Sequence, residues 1–174
     1  MSPPHEAPPR STFPRGPRGV ELATVEDTQE FGRRLGAILR AGDLVVLTGP
    51  LGAGKTALTQ GIGAGLRVRG DITSPTFVIA RVHRPDPEHG GRVALVHADA
   101  YRLGAATDPR AEIDDLDLDA SVDDSVTVVE WGEGMVEQLA ETHLQVRIDR
   151  RDDDARVVEL APSGGDWAAR IEAL

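Results

Sequence analysis

The sequence predicts an α/β sandwich around a mixed, mainly parallel central sheet, with an antiparallel extension near its C-terminal end. Three observations support this. Short apolar runs bounded by turn residues alternate with segments of helical periodicity through the first two-thirds of the chain, as when helices join parallel strands. The last third instead holds two alternating runs across a single polar turn, which reads as a hairpin. Aromatic residues make up only 3% of the 174 residues while hydrophobic ones make up 40%, so the core is expected to consist of Val, Leu, Ile and Ala.

A chain of this length has room for one domain with a proper core. Six of its 12 prolines fall in the first 17 residues, beside Arg10, Arg15 and Arg18. Such a segment buries too little apolar surface to offset its ordering entropy, so residues 1–19 read as a disordered tail and 20–174 as the domain. Thr24-Val25-Glu26-Asp27 resembles a capping box, and Phe31, Leu35, Ile38 and Leu39 follow at helical spacing. Gly42 is expected to end that helix. Residues 43–48 form an apolar run short enough for a buried strand, and GPLGAGKT follows at 49–56. Residues 57–66 read as a helix, weakened by three glycines.

Further on, 77–83 and 92–97 read as strands joined by a turn rich in Pro, Gly and Asp. Residues 108–124 are strongly acidic, with Ile113, Leu116, Leu118 and Val122 interspersed, and predict one or two short helices with a solvated outer face. Residues 126–130 are a further buried strand. Residues 144–148 and 156–160 form the hairpin across DRRDDDA, and 167–174 close the sequence as a helix. No internal repeat is visible.

Several classes of function are disfavoured. A net charge of −10 and a pI near 4.9 argue against strong direct binding of nucleic acid. No window approaches the length of a membrane span, and the first residues contain no apolar leader-like run. With no cysteine there is neither a disulfide nor a thiolate metal site, which fits a cytoplasmic protein.

GPLGAGKT matches G-x-x-x-x-G-K-[ST], the phosphate-binding loop, and lies in that motif's required setting between an apolar strand and a helix. Its glycines permit positive φ, so backbone amides can turn inward around phosphate oxygens. The helix N-terminus adds partial positive charge. Lys55 is the one lysine in a chain with 19 lysines and arginines in total, as expected where only a compact ammonium fits. Leu51, Gly52, Ala53, Gly54, Lys55, Thr56 and Ala57 are the candidate nucleotide-binding residues, with the Thr56 hydroxyl as a Mg²⁺ ligand. Asp99 and Glu130 each end an apolar strand, where acids beside a phosphate loop hold metal or support hydrolysis. Ser74 and Thr76, in Thr73-Ser-Pro-Thr-Phe77, occupy the place of a switch segment near the γ-phosphate. Together these features specify the fold as P-loop NTPase-like.

In this order, GxLGAGKT, TSPTF, HxDxYRL and VVEW resemble the TsaE family over roughly residues 20–148. The resemblance implies a small bacterial P-loop ATPase that uses ATP and Mg²⁺. It would be an accessory subunit of tRNA threonylcarbamoyladenosine (t6A) biosynthesis that binds and resets the TsaD–TsaB complex, reaching tRNA only through that complex. It also implies that Asp99 is the Walker-B-like acid needed for hydrolysis and that Glu130 helps hold Mg²⁺. Trp131 reads either as a reporter near the nucleotide or as core packing. Two rival readings stay open. One is a small-molecule or nucleoside kinase using Arg81, Arg84 or Arg102, and the other is a nucleotide-binding module that never hydrolyses ATP. The absence of a guanine-reading N-K-x-D motif favours ATP.

The sequence departs from the family pattern at Pro50, where many relatives have Asp, and at Ala57, where a second threonine is usual. Restoring that hydroxyl with Ala57→Thr should tighten nucleotide binding modestly, as read by nucleotide titration.

Overall fold

The computed structural model describes residues 15–16, 19–50, 52–73, 80–99, 122–130 and 141–174. In chain order the elements are β1 (Arg15–Gly16), β2 (Gly19–Leu22), α1 (Val25–Ile38), β3 (Leu44–Thr48), α2 (Lys55–Leu66), β4 (Ala80–His83), a 3₁₀ turn (Pro87–His89), β5 (Ala94–Asp99), β6 (Ser125–Glu130), β7 (His143–Arg150), β8 (Arg156–Ser163) and α3 (Trp167–Ile171). The strands form one sheet in the order β1-β2-β8-β7-β3-β6-β5-β4. The central β7-β3-β6-β5 are mutually parallel, and every other pairing is antiparallel. The expected fold class is therefore present.

β3 and β6 are buried along their whole length, which explains why they read as continuous apolar runs and not as alternating ones. Val45, Leu47, Leu95, Val126, Val128, Leu144, Val146 and Ile148 pack beneath α1 and α2 in the larger core. Leu44, Val46, Val96, Ala98 and Val129 form a second cluster on the opposite face. The β7–β8 hairpin extends beyond its predicted limits, running to His143 and Ser163.

Several boundaries differ from the sequence reading. The expected tail does not include Arg15, Gly16 and Gly19, which are in strands: β1 pairs with β2, and β2 with β8. The reason is an edge partner supplied by β8, which local composition cannot reveal. Helix α1 carries the capping box as read, with Thr24 accepting from the Asp27 amide and Asp27 accepting from the Thr24 amide. However, α1 stops at Ile38, well before Gly42. Leu39 turns to an extended conformation and buries its side chain, while Arg170 of α3 donates to the Ile38 carbonyl at 2.6 Å. Gly42, at φ +88°, serves the turn that feeds β3. The acidic segment is described only at 122–124, which form a turn, and the rest of 108–124 lies outside the described residues.

The glycines of α2 have a use that propensity alone did not suggest. Gly61 and Gly65 face Gly32 and Gly36 of α1, and the two helices touch backbone to backbone. A Cβ added at Gly61 would lie 2.1 Å from the Gln29 carbonyl oxygen, and one at Gly65 2.1 Å from that of Arg33. In the reverse direction, a Cβ at Gly32 would lie 2.3 Å from the Leu58 carbonyl oxygen. The atoms in the way are main chain, so they cannot swing aside.

Helix propensity would make Gly61→Ala stabilising by about 1 kcal/mol. Overpacking should reverse the sign and leave the variant about 1–3 kcal/mol less stable, as measured by urea unfolding. A gain in stability would show that the helices can separate without cost.

Candidate functional site

β3 delivers the chain to GPLGAGKT at the C-terminal edge of the parallel strands, and α2 begins at Lys55. Gly52 and Gly54 have φ of +77° and +107°, a conformation costly for other residues, and these two turns give the loop its curl. Ala53 is buried, while Thr56 and Ala57 are partly exposed on the first turn of α2. Leu51 lies outside the described residues.

Lys55 is only 8% exposed. Its Nζ donates to the Gly49 carbonyl at 2.6 Å and to the Pro50 carbonyl at 3.2 Å, so the ammonium lies over its own loop. Burial lowers its pKa from the ordinary lysine value, and the negative charge of Glu130 opposes that shift. An arginine would have to place a broad planar fork where two carbonyls converge on a single ammonium.

The sheet register brings the two predicted acids together. Glu130 lies opposite Leu47 of β3 on one side and Asp99 of β5 on the other. Both acids end their strands at the edge where the loop leaves β3. In parallel strands, residues in register share a face. Glu130 is therefore on the same face as Leu47, the one that carries the larger core. Glu130 is 5% exposed, and its Oε1 lies 3.0 Å from Nε2 of the fully buried His97. Ser74, Thr76, Arg102 and Trp131 lie outside the described residues. Arg81 and Arg84 are exposed, Arg81 on the edge strand β4.

The available donors suit Mg²⁺. A threonine hydroxyl and strand-end carboxylates are hard oxygen ligands, and no sulfur competes. Among the described residues, no cluster of three or more His, Cys, Asp or Glu could hold a metal alone.

Sequence reasoning missed three contributors. Arg156 of β8 reaches across to the loop, with Nη2 3.3 Å from the Gly52 carbonyl oxygen. Ile148 and Thr28 flank Gly54, their side chains 3.3 and 3.8 Å from where its Cβ would be. The start of α1 and the C-terminal hairpin thus both border the loop, which only the strand order reveals. His97 and His83 are also buried, each directly after a valine in a short strand, which was the available signal. Burial, the neighbouring His97 and Arg81 together lower the pKa of His83, while a hydrogen bond to the Arg69 backbone opposes the shift.

A strand–phosphate-loop–helix unit at the edge of a mainly parallel sheet, with two acids in register beside it, defines a P-loop NTPase-like protein. Comparison with known proteins narrows the class. The family model "Threonylcarbamoyl adenosine biosynthesis protein TsaE" matches residues 22–158. The chain is 58% identical to the tRNA threonylcarbamoyladenosine biosynthesis protein TsaE of Streptomyces coelicolor, across 80% of this chain and 93% of that one. The TsaE of Mycobacterium bovis is 55% identical, across 74% and 77%. The crystal structure of YdiB from Bacillus subtilis superposes with a TM-score of 0.68 at 28% identity, covering 87% of this chain and 89% of that one. The chain belongs to the TsaE family.

The lowered pKa of His83 sets a pH dependence. The unfolded chain takes up a proton near the ordinary value of about 6.5, whereas the folded chain resists it until lower pH. His83 therefore leaves stability intact above about 6.5 and costs stability as the pH falls below that value toward its folded pKa. Wild type should lose more stability between pH 7 and pH 5 than His83→Gln, as measured by thermal unfolding. Equal losses would show that His83 titrates alike in both states.

Proposed function

We propose that this chain is a cytoplasmic, Mg²⁺-dependent ATPase that serves as an accessory subunit in t6A modification of tRNA at A37, binding and resetting a TsaD–TsaB-type complex. The observation that supports the reading is the register of Leu47, Glu130 and Asp99, in which Glu130 ends the strand next to the one that feeds the phosphate loop and Asp99 ends the strand beyond it. The family supports the pathway, and every curated relative compared above is named for t6A biosynthesis.

Each residue has a task in this reading. The amides from Gly52 to Ala57 cradle phosphate oxygens, assisted by the N-terminal dipole of α2. Lys55 exchanges the Gly49 and Pro50 carbonyls for β- and γ-phosphate oxygens. Its partial desolvation strengthens that interaction, because the ammonium has already given up much of its water. Thr56 and Glu130 are the side chains that would hold Mg²⁺. A bound Mg²⁺ would offset the negative charge that develops on the phosphate oxygens. Asp99 is the acid that supports attack by water, and Ser74 and Thr76 sense the γ-phosphate. Arg156 braces the loop by way of the Gly52 carbonyl. An acidic chain fits this role, since contact with tRNA is left to the partner complex.

The deciding experiment is phosphate release from Mg·ATP by the purified chain, alone and with a TsaD–TsaB complex. Slow release alone and a clear rise with partners is the expected result; fast release alone and no response to partners would favour a stand-alone NTPase or kinase. Lys55→Arg conserves charge but not shape, and should reduce turnover on the order of 100-fold. Near-normal turnover would refute the assignment of Lys55.

A further inference from the structure

His97 sits two residues before the end of β5. It lies opposite Val128, two residues before Glu130 on β6. The contact between His97 Nε2 and Glu130 Oε1 therefore runs diagonally across a six-residue parallel pairing and ends at the loop side. The His97 side chain is 0% exposed and that of Glu130 7%. A carboxylate only accepts hydrogen bonds, so the ring must carry its proton on Nε2. The other ring nitrogen, Nδ1, is buried and has no partner among the described residues. A lone pair is tolerated there better than an unpaired N–H, which selects the Nε2–H tautomer.

A glutamate at the end of a strand has rotatable bonds that would let its carboxylate turn, with the Lys55 ammonium close enough to attract it. The His97 bond engages one carboxylate oxygen, Oε1, and so restricts how the carboxylate can turn. Metal-binding carboxylates generally depend on such partners for their orientation.

We propose that His97 is a positioning residue: by holding Oε1 of Glu130, it presets the carboxylate for a divalent cation carried by the nucleotide. The proposal rests on the reading of Glu130 as a metal-side acid. His97 touches neither nucleotide nor metal, so it should govern how much Mg²⁺ tightens nucleotide binding while leaving metal-free binding alone.

The test compares wild type, His97→Gln and His97→Leu, using a fluorescent ATP analogue titrated in EDTA and then over a range of Mg²⁺ concentrations. Gln can place an N–H close to the position of Nε2, whereas Leu fills space without a donor. The Leu variant should need about tenfold more Mg²⁺ for half-maximal effect, and the Gln variant no more than about threefold more. Affinity in EDTA should be unchanged in both. Equal Mg²⁺ dependence in wild type and Leu, a Gln variant as impaired as Leu, or a parallel loss of affinity in EDTA would each overturn the proposal. Nitrogen-15 NMR of the wild type keeps it testable if the Leu variant fails to fold. The Nε2–H tautomer at His97 is expected, and Nδ1–H would refute it. A wild type whose nucleotide affinity ignores Mg²⁺ would instead remove the metal-side role of Glu130, and the proposal with it.

Discussion

Leu47, Glu130 and Asp99 stand side by side because β3, β6 and β5 run parallel in one continuous hydrogen-bonded register. Everything proposed for the site depends on that alignment. A slip of one residue between β6 and β3 would turn Glu130 to the opposite face and bring Val129 to the edge of the loop. The register is secured by burial: β6 is enclosed along all six residues, and its Val126 and Val128 pack in the larger core. Apolar packing thus sets the position of a charged group. The diagonal contact between His97 and Glu130 follows from the same alignment, since it exists only if β5 and β6 keep step.

The phosphate-loop helix is located by a second constraint of a different kind. Gly32 and Gly36 on α1 meet Gly61 and Gly65 on α2 with main chain against main chain. Close approach lets α1 lie low enough for Thr28, in its first turns, to flank Gly54. The intrinsic cost of glycine in a helix, about 1 kcal/mol each, is offset by contact that larger residues would prevent. The glycine positions also explain why a weak helix former begins with an orderly first turn: α2 is held by its neighbour more than by its own propensity.

Much of this was legible in the sequence, and what was not has a common cause. The capping box at Thr24, the strands at 43–48 and 126–130, the phosphate loop and the C-terminal hairpin are local patterns, and each could be read from adjacent residues. The solitary Lys55 stood out in the sequence without any structure. The end of α1 could not be read, because the group that caps Ile38 comes from Arg170, far along the chain. The four-residue spacing of the glycines was visible, but which helix each pair faced was not. Asp99 and Glu130 could be named as strand ends, yet their adjacency required the strand order. His97 lay inside a recognised motif without a task until the register supplied one. Local physics fixed the elements here, while long-range pairing fixed their boundaries and the site.

The small helix α3 fastens the opposite end of the sheet. Its Arg170 binds Asp43, just ahead of β3, together with the Ile38 carbonyl, and lies 4.2 Å from the ring centre of the buried Trp167. Asp43 precedes β3 and the phosphate loop follows it, so α3 and the loop are separated by the full length of that strand. The exposed Glu172, just after α3, therefore offers an attachment point for a fluorophore or surface tether. Immobilised there, the molecule would present its loop edge outward, ready for single-molecule observation of whatever docks against it.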